Sequence, residues 1–237
     1  MSGFLSAIIG QMDRSTAGSE DTAQRVLKMC GGKIPRNALF FGDDIFTPQL
    51  IAAETGAKTL ATFGEEQRVS AAANAGLDAR QVGAYEIVTT DGGWDMIWYN
   101  GLTEPDGISR RLEQLRDGLA AGGVAVYRTL CWLIDPSLDT KGFVEHRFGR
   151  PVHLDEVLRE AKEQKFAVED FYIAPRSDWK QSFYEPLSEL VRTYENARES
   201  TDGDVAAGVG EINREMYMFD LHSEEYSFVY YVLRKRS

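Results

Sequence analysis

The residues of this chain whose types suit chemistry stand at the ends of short apolar runs. Gly42-Asp43-Asp44 follows Ala38-Leu39-Phe40-Phe41, Gly64-Glu65-Glu66 follows a run ending at Phe63, and Tyr99-Asn100 closes the run that begins at Trp94. Adjacent carboxylates such as Asp43 and Asp44 suit a hard cation or acid–base work; they equally suit a polar turn or the negative charge a helix N-terminus attracts. No His or Glu cluster stands beside them, so no metal site is expected. Arg128 lies beside Tyr127 and near Trp132, at the end of another run, where it could point into a cleft. His146 and His153 flank Arg147 and Arg150, a group that suits a substrate acid site, a catalytic base or a plain surface loop. Trp179, Phe183 and Tyr184 suit a pocket lining or a core. Type and spacing alone assign no catalytic residue.

The elements that must position these residues follow from periodicity. Residues 13–21 are polar and read as a loop, with Ser19 or Asp21 capping a helix that runs through Cys30 and ends at Gly31-Gly32. Pro48 suits the first turn of a helix to Glu54, closed by Gly56. A strand over 58–63, an Ala-rich helix over 65–75, a weak strand near 84–89 and a stronger one over 94–99 come next. Ile108, Leu112, Leu115 and Leu119 share one face of a helix over 108–120. Gly122-Gly123 then precedes a strand over 124–132. The last third reads as a helix over 154–165, a strand over 166–174, helices over 185–199 and 205–221, and a closing strand over 225–234. That last strand is apolar on both faces, which places it inside the sheet. Alternating strands and helices imply a mostly parallel sheet covered on both faces. Such sheets bind ligands beyond the carboxyl ends of their strands. The loops at 42–47, 63–66, 88–93, 99–103 and 130–138 are therefore the expected site.

Composition bounds the partners. A chain of 237 residues, 43% hydrophobic and 27% charged, reads as one globular domain. Its net charge of −11 and lack of a basic patch argue against nucleic acid. No apolar run approaches the roughly 20 residues that span a bilayer, so no membrane partner is expected. Two isolated cysteines, Cys30 and Cys131, fit a reducing, cytoplasmic compartment rather than a disulfide framework. The apolar residues 1–10 and the aromatic C-terminal region leave room for a homodimer.

Trp94-Asp95-Met96-Ile97-Trp98-Tyr99-Asn100-Gly101, then a helix, then Leu119-Ala120-Ala121-Gly122-Gly123-Val124-Ala125-Val126 resembles the fourth and fifth strands of class I S-adenosylmethionine-dependent methyltransferases. Gly56-Ala57-Lys58, Glu65-Glu66-Gln67 and Ala75-Gly76-Leu77 are similar to that family's second strand and helix. Gly18-Ser19-Glu20-Asp21-Thr22, Ala174-Pro175, Trp179 and Phe183-Tyr184 before Pro186 are similar to its small-molecule subset. The resemblance implies a Rossmann-like α/β fold: a mostly parallel seven-stranded sheet, helices on both faces, and an antiparallel C-terminal strand. It implies a helical cap over 1–36, a cofactor-binding half over 37–135, and a substrate-side half with the closing strand over 136–237. It implies S-adenosylmethionine as cofactor and a small-molecule acceptor, with catalysis largely by positioning. Cofactor contacts fall on Gly42, Asp43, Asp44, Phe63, Gly64, Tyr99 and Asn100, and the substrate pocket on Arg128, Trp132, Trp179 and Tyr184.

The cofactor loop of the family reads Asp-x-Gly-x-Gly-x-Gly, and here the matching run is Phe40-Phe41-Gly42-Asp43-Asp44-Ile45-Phe46. Phe40 stands at the Asp, Asp44 and Phe46 at two glycines, and Phe63 at the acid that grips the ribose. Within 78–91 no adenine-binding Asp is evident. Hydrogen bonds to a charged group contribute about 1.5–3 kcal/mol each, so the loss at Phe63 is substantial. Glu65-Glu66 either reaches back one turn to replace that acid or simply occupies a first helical turn. Three readings follow: a methyltransferase with an atypical cofactor site; an inactive, methyltransferase-like binding, regulatory or partner subunit, alone or paired with an active homologue; and a different enzyme using Asp43-Asp44.

Overall fold

The computed structural model describes residues 8–12, 14–32, 34–82, 92–104, 106–197 and 203–236. Its strands are β1 (Asn37–Phe41), β2 (Lys58–Phe63), β3 (Asp78–Gln81), β4 (Trp94–Asn100), β5 (Leu119–Trp132), β6 (Val152–His153), β7 (Phe166–Ile173) and β8 (Tyr226–Lys235). They form one sheet in the order β3-β2-β1-β4-β5-β8-β7, with the two-residue β6 paired beside the end of β5. Strands β3 to β5 run parallel. Strand β8 runs antiparallel between β5 and β7, as expected of a strand that is apolar on both faces. The expected sheet is therefore present, with β6 as an added short strand.

The helices are α1 (Glu20–Met29), α2 (Phe46–Thr55), α3 (Glu66–Asn74), α4 (Ile108–Gly118), α5 (Leu138–Phe148), α6 (Leu154–Glu163), the single turn α7 (Arg176–Trp179), α8 (Glu185–Ala197) and α9 (Gly203–His222). A π-helical turn, Lys180–Tyr184, joins α7 to α8.

Side-chain alternation along the strands decides what lies on each face. Phe40, Phe63, Met96, Trp98, Val126 and Phe228 point to one layer, where Val26, Leu50, Ile51, Ala72 and Phe219 cover them. Leu39, Ile97, Tyr99, Tyr127 and Tyr231 point to the other, under Leu112 and Leu115 of α4 and Val157 and Ala161 of α6. Each fully buried Leu or Phe contributes about 1.5–3 kcal/mol, so both layers are real cores. Ile8, Ile9 and Met12 are buried in the first layer, inside the chain's own core.

Beyond β6 and the α7 and π-helical turns, the structure departs from expectation in three places. Helix α4 stops at Gly118 because Leu119 already pairs with Trp94; the register shift before Met96 absorbs Gly122 at φ +73° within the strand. Helix α5 was not expected, because its buried stripe is only Thr140, Val144 and Phe148, although Ser137 caps it by accepting from the Thr140 amide at 3.3 Å. The third-strand region yields Asp78–Gln81, and the weak strand expected near 84–89 lies outside the described residues. No described helix is long and apolar enough to cross a membrane.

Candidate functional site

The site is built where β1, β2 and β4 end. Beyond β1 the chain turns at Gly42 and enters α2. Asp44 Oδ1 accepts the Thr47 amide at 2.6 Å, and its Oδ2 accepts from Asn100 Nδ2 at 3.1 Å. Asn100 Oδ1 in turn accepts the Trp98 indole N–H at 2.8 Å. Asp44 thus caps α2 in the manner of a helix N-terminal acid, and both of its oxygens are engaged. Burial, then the neighbouring charge of Asp43, pushes its carboxyl up from the usual range. No cluster of three or more potential metal ligands exists among the described residues.

Gly42 keeps its place for a reason internal to the fold. A Cβ there would stand 2.5 Å from Phe40 Cζ and 3.0 Å from Asn100 Cβ. The close approach that needs glycine is made by the chain's own Phe40 ring. Phe40 in turn meets Phe63 with ring centroids 6.0 Å apart, and both rings are fully buried. Phe63 therefore lies in the core rather than on a cleft wall. Gly64, next in sequence, is exposed, and its carbonyl accepts from Gln81. Phe46, half-buried, borders a separate 660 Å³ cleft with Ile45, Gln49 and Leu190.

Met12 and residues 14–17 form a strap across this region, and the charged side chains of Asp43, Arg68 and Arg128 clip it down. Asp43 Oδ2 accepts the Ser15 amide at 3.1 Å and the Thr16 hydroxyl at 2.8 Å. Arg128 donates to Ala17 O at 3.2 Å, Thr16 Oγ1 at 2.9 Å and Gly101 O at 3.3 Å, and stands 3.7 Å from Asp43. Arg68 on α3 donates to Met12 O at 3.3 Å and Ser15 Oγ at 2.7 Å. Arg128 and Arg68 are both buried. Arg128, expected in the substrate pocket, is instead buried and grips the strap with its donors. Sequence gave no local signal for Arg68, Ser15 or Thr16, which meet Asp43 and Arg128 only through the fold.

The other expected residues are scattered. Tyr99 points to the opposite layer, where it stacks on Phe41 at 5.1 Å and Tyr127 at 5.8 Å under the Arg111 guanidinium. Strand alternation is the reason: Asn100 faces the cleft, so Tyr99 cannot. Trp132 is buried edge-on against Tyr226 in the core and does not line the cavity described next. His146 and His153 are exposed, one in the last turn of α5 and the other before α6, so they form no site with Arg147, which turns inward. Burial pushes the Cys30 and Cys131 thiols up to about 12, which keeps both neutral and unreactive.

Beside the strap lies a cavity of 190 Å³, lined by Ile9, Gly10, Ser15, Thr16, Ala17, Glu65, Leu102, Arg147, Phe148, Trp179, Phe183 and Phe228. Trp179 is among the lining residues. Tyr184 stands behind it: its hydroxyl donates to Glu215 Oε1 at 3.1 Å, and Glu215 Oε2 accepts from Arg147 Nε at 2.5 Å. Glu215 is buried on α9 and was not singled out, since nothing in its acidic neighbourhood marks it.

Three positions of the loop that the resemblance assigns to the adenosyl cofactor are occupied by the chain's own atoms. The position of the ribose acid holds a buried Phe63, the Thr47 amide at the helix start already serves Asp44, and Phe40 occupies the approach to Gly42. The 190 Å³ cavity is below the roughly 300–1,000 Å³ of pockets that bury larger organic ligands, and the 660 Å³ cleft bordered by Ile45 and Phe46 lies within that range.

No protein-family model and no curated protein sequence matches the chain. Solved structures do. YjhP from E. coli superposes with a TM-score of 0.78 at 14% identity, over 98% of this chain and 99% of its own. A SAM-dependent methyltransferase from Geobacter sulfurreducens, in complex with S-adenosyl-L-homocysteine, gives 0.79 at 12% identity over 100% and 99%. One from Thiobacillus denitrificans, in the same kind of complex, gives 0.77 at 13% over 100% and 99%. With the sheet order and the antiparallel β8, these full-length likenesses show that the chain has the class I methyltransferase fold.

Proposed function

We propose that this protein is a methyltransferase-fold binding subunit: it takes a small molecule in the cavity beside the strap and does not transfer a methyl group from S-adenosylmethionine. One observation carries this reading. The polar groups around the former glycine loop, Asp43, Asp44, Asn100 and Arg128, all bond one another or residues 15–17 of the same chain. The chain's own atoms take the bonds a cofactor would need, and Phe40 and Phe63 fill the space beneath. A full-length fold with an internally satisfied ligand loop keeps a scaffold while changing its use.

A second reading, methyl transfer with S-adenosylmethionine, is favoured by Glu65. It stands two residues beyond Phe63, lines the cavity, and has a side chain 62% exposed. That position suits an acid that replaces the ribose contact from the first residue before α3.

Calorimetry with S-adenosylhomocysteine separates the two. Under the first reading the wild-type protein gives no heat of binding at millimolar ligand. Binding that Glu65→Gln weakens about tenfold or more would overturn the first reading and support the second.

A further inference from the structure

Four aromatic side chains line the 190 Å³ cavity, and their packing restricts what can bind there. Trp179 is stacked on both faces, by Phe228 at 5.0 Å and 7° and by Phe219 at 5.2 Å and 24°. The other face of Phe228 carries the Arg128 guanidinium at 4.2 Å. Phe148 meets Trp179 edge-on at 73° and carries Arg147 at 4.9 Å. With both faces of Trp179 and Phe228 covered, these two rings present edges rather than faces to the cavity. Ring edges are the positive part of the aromatic quadrupole, so they attract the face of another ring or an anionic oxygen and offer nothing to an ammonium group.

The one guanidinium lining the cavity among the described residues points the same way. Arg147 uses Nε on Glu215, and the rest of its N–H fork carries no hydrogen bond among the described residues. Its side chain is 19% exposed, while Glu215 is 3% exposed and is held in turn by Tyr184. A fork fixed from behind by a buried carboxylate presents its free donors in one direction, the geometry that recognises a carboxylate. Glu65 is the opposing charge in the lining, but it stands in solvent and is screened. An engineered apolar cavity of about 150 Å³ accepts benzene, so 190 Å³ suffices for a single ring with a short acidic substituent.

We propose that this cavity binds a single-ring aromatic carboxylate, its ring against the edges of Trp179 and Phe228 and its carboxylate on the terminal nitrogens of Arg147. Glu215 and Tyr184 act as positioning residues for that guanidinium. The assignment deepens the binding reading above and names its ligand class.

The test uses benzoate and phenylacetate as probes, with benzylamine and benzamide as charged and neutral counterparts, read by thermal shift and calorimetry. Either carboxylate is expected to raise Tm progressively with concentration, and benzylamine to leave it unchanged. Arg147→Met alone would strand Glu215, so the probe variant is Arg147→Met with Glu215→Gln. It should weaken carboxylate binding about tenfold or more. Leu102→Phe, which narrows the cavity and leaves Arg147 untouched, should weaken it too and guards against a folding artefact. Tyr184→Phe should weaken carboxylates while leaving benzamide unchanged, a split that a purely structural role would not give. Absence of a shift with both carboxylates, or equal binding of benzylamine, overturns the assignment. S-adenosylhomocysteine titrated in parallel reads the function proposal separately: its binding would sink that proposal whether or not benzoate binds.

Discussion

Replacing Arg128 with Met tests whether the strap is held as described. The methionine stem keeps the apolar contact over Phe228 and removes the guanidinium that now lies 4.2 Å from that ring. Three hydrogen bonds go with it, to Ala17 O at 3.2 Å, Thr16 Oγ1 at 2.9 Å and Gly101 O at 3.3 Å. Asp43, 3.7 Å away, loses its countercharge. Breaking one half of a buried pair costs about 3–5 kcal/mol. Asp43 is 20% exposed and retains Ser15 and Thr16 as donors, so the lower end, about 3 kcal/mol, is expected. For a chain of this size about 2–4 °C is lost per kcal/mol, which gives a Tm lower by about 6–12 °C. The local reporter is the Ser15 amide, which donates to Asp43: hydrogen exchange over residues 12–18 should accelerate more than exchange in β5 or β8. Arg128→Lys keeps the charge without the fork and should fall between the two. A variant with wild-type Tm and unchanged exchange over the strap would refute the reasoning.

Gly42→Ala should cost about 1–3 kcal/mol by forcing Cβ against Phe40, and adding Phe40→Leu should recover part of it, both read by urea denaturation. Phe63→Asp should cost at least about 3 kcal/mol by burying an unpaired carboxylate; unaltered stability together with new affinity for S-adenosylhomocysteine would contradict it. Asp44 has a folded-state pKa above its usual value, so the native state binds more protons than the unfolded chain between the two. Its contribution is therefore largest below about pH 4, near the unfolded pKa, and is lost as pH rises through the folded pKa. Asp44→Asn should flatten that part of the stability–pH profile, and an unchanged slope in pH-dependent denaturation would count against it. Ser19→Ala removes the side chain that accepts the Thr22 amide at 3.1 Å and should cost about 1 kcal/mol, measured the same way.

Much of the fold could be read from the sequence because its signals are local. The both-sided apolarity of residues 226–233 placed β8 inside the sheet, and the spacing of Ile108, Leu112 and Leu115 gave α4 its buried face. Helix α5 escaped because its buried stripe is only Thr140, Val144 and Phe148, with a polar residue at the first of these positions and the apolar Leu138 exposed, so tertiary packing rather than a strong apolar pattern holds it. The site was only half legible. Gly42, Asp43, Asp44 and Asn100 do come together, as their place at strand ends implied. What they bond could not be read, since Ser15 and Thr16 lie more than twenty residues from Asp43 and over a hundred from Arg128. Tyr99 fails for a simpler reason: neighbouring strand residues face opposite layers, so it and Asn100 cannot both serve one cleft.

The residues that differ from the glycine pattern of the resembling family are matched one by one by neighbours within the same chain. Phe40 leaves no room beside Gly42, so a glycine is still required there although its neighbour is a ring. Phe63 packs on Phe40 and makes that ring part of the core. Asp44 gives α2 the cap that a glycine could not, and Asn100 completes the carboxylate's bonding. Asp43 and Arg128 then hold the strap. Residues so coupled do not contribute additively, because removing one leaves its partner buried and unmet. Restoring Gly at Phe46 and Asp at Phe63 alone would place a charge in a closed core while the strap, Phe40 and Asp44 stayed in position. Phe40, Gly42, Asp43, Asp44, Phe63, Asn100 and Arg128 thus form one packed unit, and single substitutions toward the glycine pattern are expected to lose stability without gaining affinity for S-adenosylhomocysteine.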